Sequence, residues 1–287
     1  MTGDPAAIAV ATLNINGLPV PHPPLRPVAE RAAALCARLV ELRVDVLNLQ
    51  EVFSYDTVRL LRDQLDGAFP HVAYGRGWRW PAGGLVTFSR LPLGPPSYRS
   101  FAGVVPWRGS PRFRLTHTMY SALHGVSTVR LANAPVTIVN THLSANHDGD
   151  WSPGNRHYGV QRAQLRRLNR LLARDRPRDH RLRIVTGDFN VAADSDLYPL
   201  IVGHGTRRDP FAGTDPTTFH RVFLPPGRPA HRIDFVLVEG DERRYPVLRA
   251  HTFLDAPIKR DGTTTYLSDH VGLSATVGLA PSAADQE

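Results

Sequence analysis

Residues 182–190 read Leu-Arg-Ile-Val-Thr-Gly-Asp-Phe-Asn. The β-branched Ile184, Val185 and Thr186 are the composition of a strand, and the run ends in Asp188 and Asn190. Near the C-terminus, Ser268-Asp269-His270 stands just before a second apolar run. Asp, Asn and Ser are ordinary turn residues, so neither stretch carries meaning alone. The pattern recurs, however. Residues 8–13, 44–49, 84–88, 126–131, 136–140, 217–220, 233–238 and 271–277 are further predicted strands. Polar groups stand at or near one end of many of them: Asn14 and Asn16, Glu51, Asn140 and His142, Asp234, and Asp269-His270. Side chains placed at strand ends can converge on one cleft.

Helical patterns are fewer. Residues 27–42, with Pro27 as the first helical residue, residues 57–65 and residues 160–173 carry helically spaced apolar positions. Runs 126–131 and 136–140 are joined by a link of hairpin length. Strands outnumber helices and some links are short, which predicts an α/β (α+β) chain with mixed sheets and helices packed outside, not a purely parallel doubly wound sheet. No repeat or low-complexity linker divides the 287 residues. Residues 1–280 are therefore expected to form a single domain, with 281–287 a frayed tail.

A chain of this length buries roughly three quarters of its unfolded surface, so a core forms without disulfides. The single cysteine, Cys36, falls on a stripe with Ala32, Leu35 and Leu39 and is expected in the core. It has no partner for an internal disulfide. The first residues lack a leader pattern, and no apolar run approaches a membrane span; the expectation is a cytoplasmic monomer. The formal net charge is +8 and the sequence pI about 10.2. Of the 34 Lys+Arg, only Lys259 is lysine. Arg162, Arg166, Arg167 and Arg170 gather on one predicted helix, Arg243 and Arg244 are adjacent, and the others are scattered. Nucleic acid, an anionic lipid headgroup and a small phosphorylated molecule would all be attracted.

The polar strand ends are the inventory of phosphate-ester hydrolysis. The ester is anionic, and a divalent cation offsets its charge. Mg²⁺ takes hard oxygen ligands, for which Glu51 with Asn14 or Asn16 is suited; Asp269 is either a second carboxylate ligand or an orienting group for His270. The attacking water needs a base active near neutral pH, and His270 is the candidate, with Asp234 as partner of its other nitrogen. Asp234 interrupts Ile-Asp-Phe-Val-Leu-Val, where a buried carboxylate requires a partner. Asp188 is assigned to orient the water. Asn190 and His142 are assigned to the phosphoryl oxygens. His71, His124, His180 and His251 are expected at the surface.

Taken in order, Asn14-x-Asn-Gly, Leu49-Gln-Glu51, Thr141-His142-Leu143, Gly187-Asp-Phe-Asn190, Arg232-Ile-Asp234-Phe and Ser268-Asp-His270 resemble the endonuclease/exonuclease/phosphatase superfamily, from about residue 8 to 279. The resemblance implies a four-layer α/β sandwich, two mixed sheets face to face with helices outside, and Mg²⁺ or Mn²⁺ as cofactor. The roles above carry over onto the same positions. The opening motif is similar to the abasic-site endonuclease branch, but the Thr-Lys that follows Gln-Glu there is Val52-Phe53 here. Glu51-Val-Phe, residues 83–93 and Thr265-Tyr-Leu-Ser-Asp-His look most like neutral and bacterial sphingomyelinases. The stretch 255–266 lacks the paired exposed aromatics that some of those enzymes carry. The loop 144–158, rich in aromatic and ionisable groups, is expected to shape the leaving-group side, with His147, Trp151 and Tyr158 as candidate substrate contacts. The expectation is a Mg²⁺-dependent phosphodiesterase, sphingomyelinase-like, acting on a small-molecule or lipid phosphodiester. The alternatives are a nuclease on DNA or RNA, a phosphomonoesterase, and, least favoured, a non-catalytic binding protein.

Overall fold

The computed structural model describes residues 7–18, 23–175, 182–260 and 262–279. The expected tail 281–287 and His180 lie outside the described residues. In chain order the elements are β1 (Ala7–Asn14), α1 (Val28–Glu41), β2 (Val46–Gln50), α2 (Tyr55–Leu65), β3 (His71–Ala73), β4 (Val86–Ser89), β5 (Ser97–Ser100), α3 (Pro111–Leu123), β6 (Gly125–Arg130), β7 (Val136–His142), α4 (Tyr158–Arg174), β8 (Leu182–Asp188), α5 (Tyr198–Ile201), β9 (Asp234–Glu239), β10 (Val247–Phe253), β11 (Ile258–Arg260), β12 (Thr263–Thr265) and β13 (Gly272–Gly278).

Two mixed sheets result. One has the order β10-β13-β1-β2-β4-β3, the other β5-β6-β7-β8-β9, and β11 and β12 form a separate hairpin. In the first sheet β1 runs parallel to β2 and antiparallel to β13. In the second, β7 runs parallel to β8, with β6 and β9 antiparallel at their flanks. Leu35, Cys36 and Leu39 of α1 and Leu61 and Leu65 of α2 pack on Leu13, Leu47 and Leu49, on the outer face of the first sheet. Val160, Leu165 and Leu168 of α4 pack on Val139, Val185 and Leu237, on the outer face of the second. Ile8, Val10, Val46, Ile138, Ile184 and Val236 meet between the sheets. The result is four layers, with helices outside two facing sheets.

The space between the sheets changes character along the strands. Its apolar part gives way to a buried polar ladder: Asn48 Nδ2 donates to Thr186 Oγ1 at 2.8 Å and Gln50 Nε2 to Asn140 Oδ1 at 2.7 Å. These bonds cross from one sheet to the other and lead directly to the residues that end β1, β7 and β8.

The structure corrects several expectations. Residues 217–220 form no strand; only Phe219 bridges to His270. Backbone hydrogen bonds tie Thr218 to His231 and Val271 and His220 to Asp269, and the Thr218 hydroxyl accepts from the Ile233 and Asp234 amides, so a short bridge stands where a full strand is expected. Pro27 is the N-cap residue, one position before the helix. α3 and β10 were not anticipated. α3 buries Phe113, His117 and Ser121, so the inward apolar stripe by which a helix is read from sequence is missing.

Candidate active site

The second sheet aligns three of the expected residues. His142 is paired with Asp188, and Asp188 with Asp234, across β7, β8 and β9. Residues paired directly across neighbouring strands project to the same face of the sheet, so an imidazole and two carboxylates stand in a row. Gly187 makes this possible. Its φ is 143°, and a Cβ there would lie 1.9 Å from the Thr141 carbonyl oxygen. The glycine of Gly187-Asp-Phe-Asn190 is therefore required by contact with the neighbouring strand.

The loop ahead of β13 delivers His270 to this row. Its Nδ1 is 2.9 Å from Asp234 Oδ2 and its Nε2 3.7 Å from Asp188 Oδ2. Phe219 meets the imidazole edge-on at 4.9 Å. Burial alone would depress the proton affinity of His270, but the charges of Asp234 and Asp188 reverse this and hold it well above the ordinary value. Burial, reinforced by Asp234, raises the affinity of Asp188 for a proton. Burial has the opposite effect on His142, keeping it well below the ordinary value and hence neutral. Its Nε2 lies 3.5 Å from Asp188 Oδ2 and 3.9 Å from Glu51 Oε1.

The first sheet supplies the facing wall. Asn14 Nδ2 bridges Glu51 Oε1 and Asp188 Oδ2, at 3.0 Å each. Asn16 Nδ2 donates to Asp269 Oδ2 at 2.7 Å. Gly17 is packed so closely that a Cβ would lie 2.0 Å from the Glu51 carbonyl oxygen. Asn16, Glu51 and Asn190 all adopt left-handed backbone, with φ of 46°, 58° and 52°, a strained conformation for a glutamate. Burial raises Glu51 from 4.5 to about 6, partly offset by the hydrogen bond from Asn14.

Two buried oxygens on this wall, Asn16 Oδ1 and Glu51 Oε2, have no hydrogen-bond partner. A buried acceptor without a donor is costly, and two oxygens in this condition fit a hard divalent cation. Asp188, Asp234 and His270 also offer ligand atoms within 4.8 Å of one another. That trio is engaged by His270 with Asp234 Oδ2 and by Asn14 with Asp188, leaving Asp234 Oδ1 open, and it includes a nitrogen that Mg²⁺ disfavours. The open oxygens of Glu51 and Asn16 are the better cation donors.

The remaining expectations divide. Asn190 lies beside the site, but its side-chain Nδ2 donates to the Leu143 carbonyl at 2.9 Å, so its first task is to hold the loop after β7. His147 and Trp151 line a cavity of about 440 Å³ floored by Asp188, Asp269 and His270 and walled by Leu18, Phe219, Phe223 and Leu224. Trp151 is fixed by its Nε1–H to the Asn190 carbonyl, 3.0 Å. Tyr158 does not join them; it opens α4 and borders a separate cleft with Arg162, Arg166 and Arg170. His124, expected at the surface, stacks on His142 with ring centroids 4.6 Å apart and is lowered to about 4 by burial.

Arg31 was not singled out by its sequence. It is buried in α1, and its guanidinium donates to the carbonyls of Ile15, Asn16 and Leu267 at 2.6, 2.6 and 2.5 Å. It thereby clamps the Asn14–Gly17 turn to the loop that holds Asp269. Burial lowers it to about 10, against the pull of Asp269 and Glu51. An arginine within an alanine-rich helix carries no local signal of this role.

Known proteins share this arrangement at the level of fold and family. Residues 11–270 match the Endonuclease/Exonuclease/phosphatase family. A protein described as "Putative neutral sphingomyelinase" in Drosophila melanogaster is 26% identical over 199 residues; the match covers 67% of this chain but 41% of that protein, so the chain accounts for well under half of its relative. Sphingomyelinase C from Streptomyces griseocarneus superposes with a TM-score of 0.67 at 19% identity, over 95% of this chain and 99% of the other. Truncated TDP2 of Caenorhabditis elegans superposes with a TM-score of 0.63 at 17% identity, over 95% and 97%. At these identities the two structures establish likeness of fold.

Proposed function

The chain belongs to the endonuclease/exonuclease/phosphatase family, and on that premise we propose that it is a divalent-metal-dependent phosphodiesterase acting on a small or lipid-derived phosphodiester. The observation that carries this reading is the Asp234–His270–Asp188 chain facing Glu51 and Asn16 across one cavity. In its neutral form, with Nδ1–H held by Asp234, His270 presents Nε2 as the acceptor of a proton from water, a form that a cation offsetting the charge of the flanking carboxylates would favour. Asp188 positions that water. The water oxygen attacks phosphorus as the bond to the leaving oxygen breaks, and His142, held neutral, stands beside the phosphoryl oxygens as a hydrogen-bond donor. Glu51 and Asn16, with Asp269 behind Asn16, are the residues that would hold Mg²⁺ or Mn²⁺. The cation supplies positive charge that offsets the site's carboxylates and the phosphoryl oxygens.

The cavity walls support the choice of substrate. Leu18, Phe219, Phe223, Leu224 and Pro225 form an apolar side above a charged floor, suited to an ester with one apolar arm. The Drosophila relative described as a neutral sphingomyelinase agrees with this choice. A panel of bis-p-nitrophenyl phosphate, sphingomyelin and supercoiled plasmid, assayed with Mg²⁺ and with EDTA, tests the proposal. Cleavage of the first two, abolished by EDTA, is expected. Full activity in His270→Ala would sink the mechanism, and nicking of plasmid without cleavage of sphingomyelin would move the substrate to nucleic acid.

A further inference from the structure

Residues 67–147 contain no aspartate or glutamate and eight arginines: Arg76, Arg79, Arg90, Arg99, Arg108, Arg112, Arg114 and Arg130. Removing these eight from the 34 basic residues leaves 26, against 26 acidic residues in the chain. The whole formal charge of +8 is therefore carried by this one segment.

The same segment exposes the largest apolar side chains. Trp78 is 93% exposed and Trp107 70%. α3 is turned inside out: with Phe113, His117 and Ser121 inward, its outer face shows Leu115 at 65% and Met119 at 57%, followed by Leu123 one turn on. Each tryptophan has an arginine over its ring, Arg79 at 5.6 Å and Arg108 at 4.4 Å. Arg114 Nε donates to the Pro106 carbonyl at 3.0 Å, which ties the Trp107 loop to α3. Tyr98 joins the Trp78 loop to the other end of the helix. Its ring lies against Gly75 and Gly83, and its hydroxyl donates to the Leu123 carbonyl at 2.8 Å. The tryptophans, the aliphatic stripe and the arginines are therefore parts of connected structure.

Single exposed apolar residues are ordinary; a stripe of them flanked by two tryptophans and fringed by arginines is not. We propose that this face docks on an anionic lipid surface, with Leu115, Met119, Trp107 and Trp78 entering the headgroup layer and Arg108, Arg112 and Arg114 pairing with lipid phosphates and carboxylates. Tryptophan and arginine are the side chains that settle at such an interface, and a polybasic fringe without acids is attracted to a negative leaflet. A single-stranded nucleic acid would use the tryptophans and arginines but would leave the aliphatic stripe in water. A second copy of the chain would set one arginine-rich, acid-free segment against another. The docking face stands independently of the substrate, because its recognition chemistry lies outside the cavity.

Sedimentation of the intact protein with vesicles tests this, using phosphatidylcholine alone and phosphatidylcholine mixed with phosphatidylserine. Binding to the mixed vesicles, weakened by salt and accompanied by a blue shift of tryptophan fluorescence, is expected. Leu115→Glu with Met119→Glu is expected to weaken it by roughly tenfold or more while cleavage of a soluble ester continues. Should that pair disturb folding by circular dichroism, Arg108→Gln with Arg112→Gln serves as the second variant and is expected to remove the preference for phosphatidylserine. Equal binding to both kinds of vesicle, no binding to either, or a folded variant that binds like the parent overturns the proposal. So does capture of single-stranded DNA that depends on the same residues when vesicles are ignored.

Discussion

On the wall contributed by the five-stranded sheet, His142, Asp188 and Asp234 are held by strand register, and His270, brought to them by the loop ahead of β13, is held by a 2.9 Å contact with Asp234. On the wall contributed by the six-stranded sheet, Asn14 and Asn16 are bonded, yet Glu51 Oε2 and Asn16 Oδ1 face no donor. One wall is matched where its imidazoles meet carboxylates, leaving Asp234 Oδ1 and His142 Nδ1 without a hydrogen-bond partner. The other is short of positive charge at two oxygens whose residues, Asn16 and Glu51, adopt left-handed backbone. The contrast teaches where the two kinds of chemistry reside: proton handling on the matched wall, and capacity for a cation on the deficient one.

The contrast can be broken most severely on the matched wall. His270→Ala removes the proposed base, and kcat is expected to fall by about a thousandfold or more, measured on bis-p-nitrophenyl phosphate at saturating Mg²⁺. Asp234→Asn keeps the shape and removes the charge behind His270; a loss of about a hundredfold in kcat with KM nearly unchanged is expected.

Glu51→Gln tests the deficient wall in two ways. Activity should fall, and Mg²⁺, which is expected to raise the thermal midpoint of the parent, should raise that of the variant little or not at all. The metal-free variant should also be the more stable protein at pH 7.5. A carboxylate raised from 4.5 to about 6 is destabilised in its charged form, by roughly 2 kcal/mol. The sign is fixed by the folded state holding its proton more tightly than the unfolded one. Metal-free parent protein therefore gains stability as pH falls through about 6, and Glu51→Gln flattens that part of the curve. Denaturant titrations between about pH 5 and 8 would contradict the assignment if the two proteins behaved alike. The smallest effect is expected at His124→Phe, which preserves the stack on His142 but loses the contact of Nδ1 with Ser144 Oγ, 3.2 Å. A reduction in kcat of about threefold with an unchanged Mg²⁺ requirement is expected.

Much of this was legible because strands advertise themselves by composition and end where polar groups begin. Ile184, Val185 and Thr186 marked β8, and Asp188 at its end proved to lie beside Asp234 and His270. The four layers followed from a family resemblance carried by six short motifs. What escaped was side-chain work without a local pattern. Arg31 acts through three carbonyls brought together only by folding. Thr218 adds its hydroxyl to a bridge too short to count as a strand. α3 could not be read because its inward face carries His117 and Ser121, so apolar periodicity pointed away from the core. Tyr158 stands close to Trp151 in sequence, yet the start of α4 carries it to another cleft.

The pairing of His142, Asp188 and Asp234 across three strands has a practical consequence. A slip of one residue in β7 or β9 would send that strand's functional side chain to the opposite face of the sheet. Turnover thus reports strand alignment as faithfully as a disulfide reports proximity. In any library of loop insertions or circular permutants, recovery of cleavage would certify that the second sheet had assembled in frame, before any spectrum was taken.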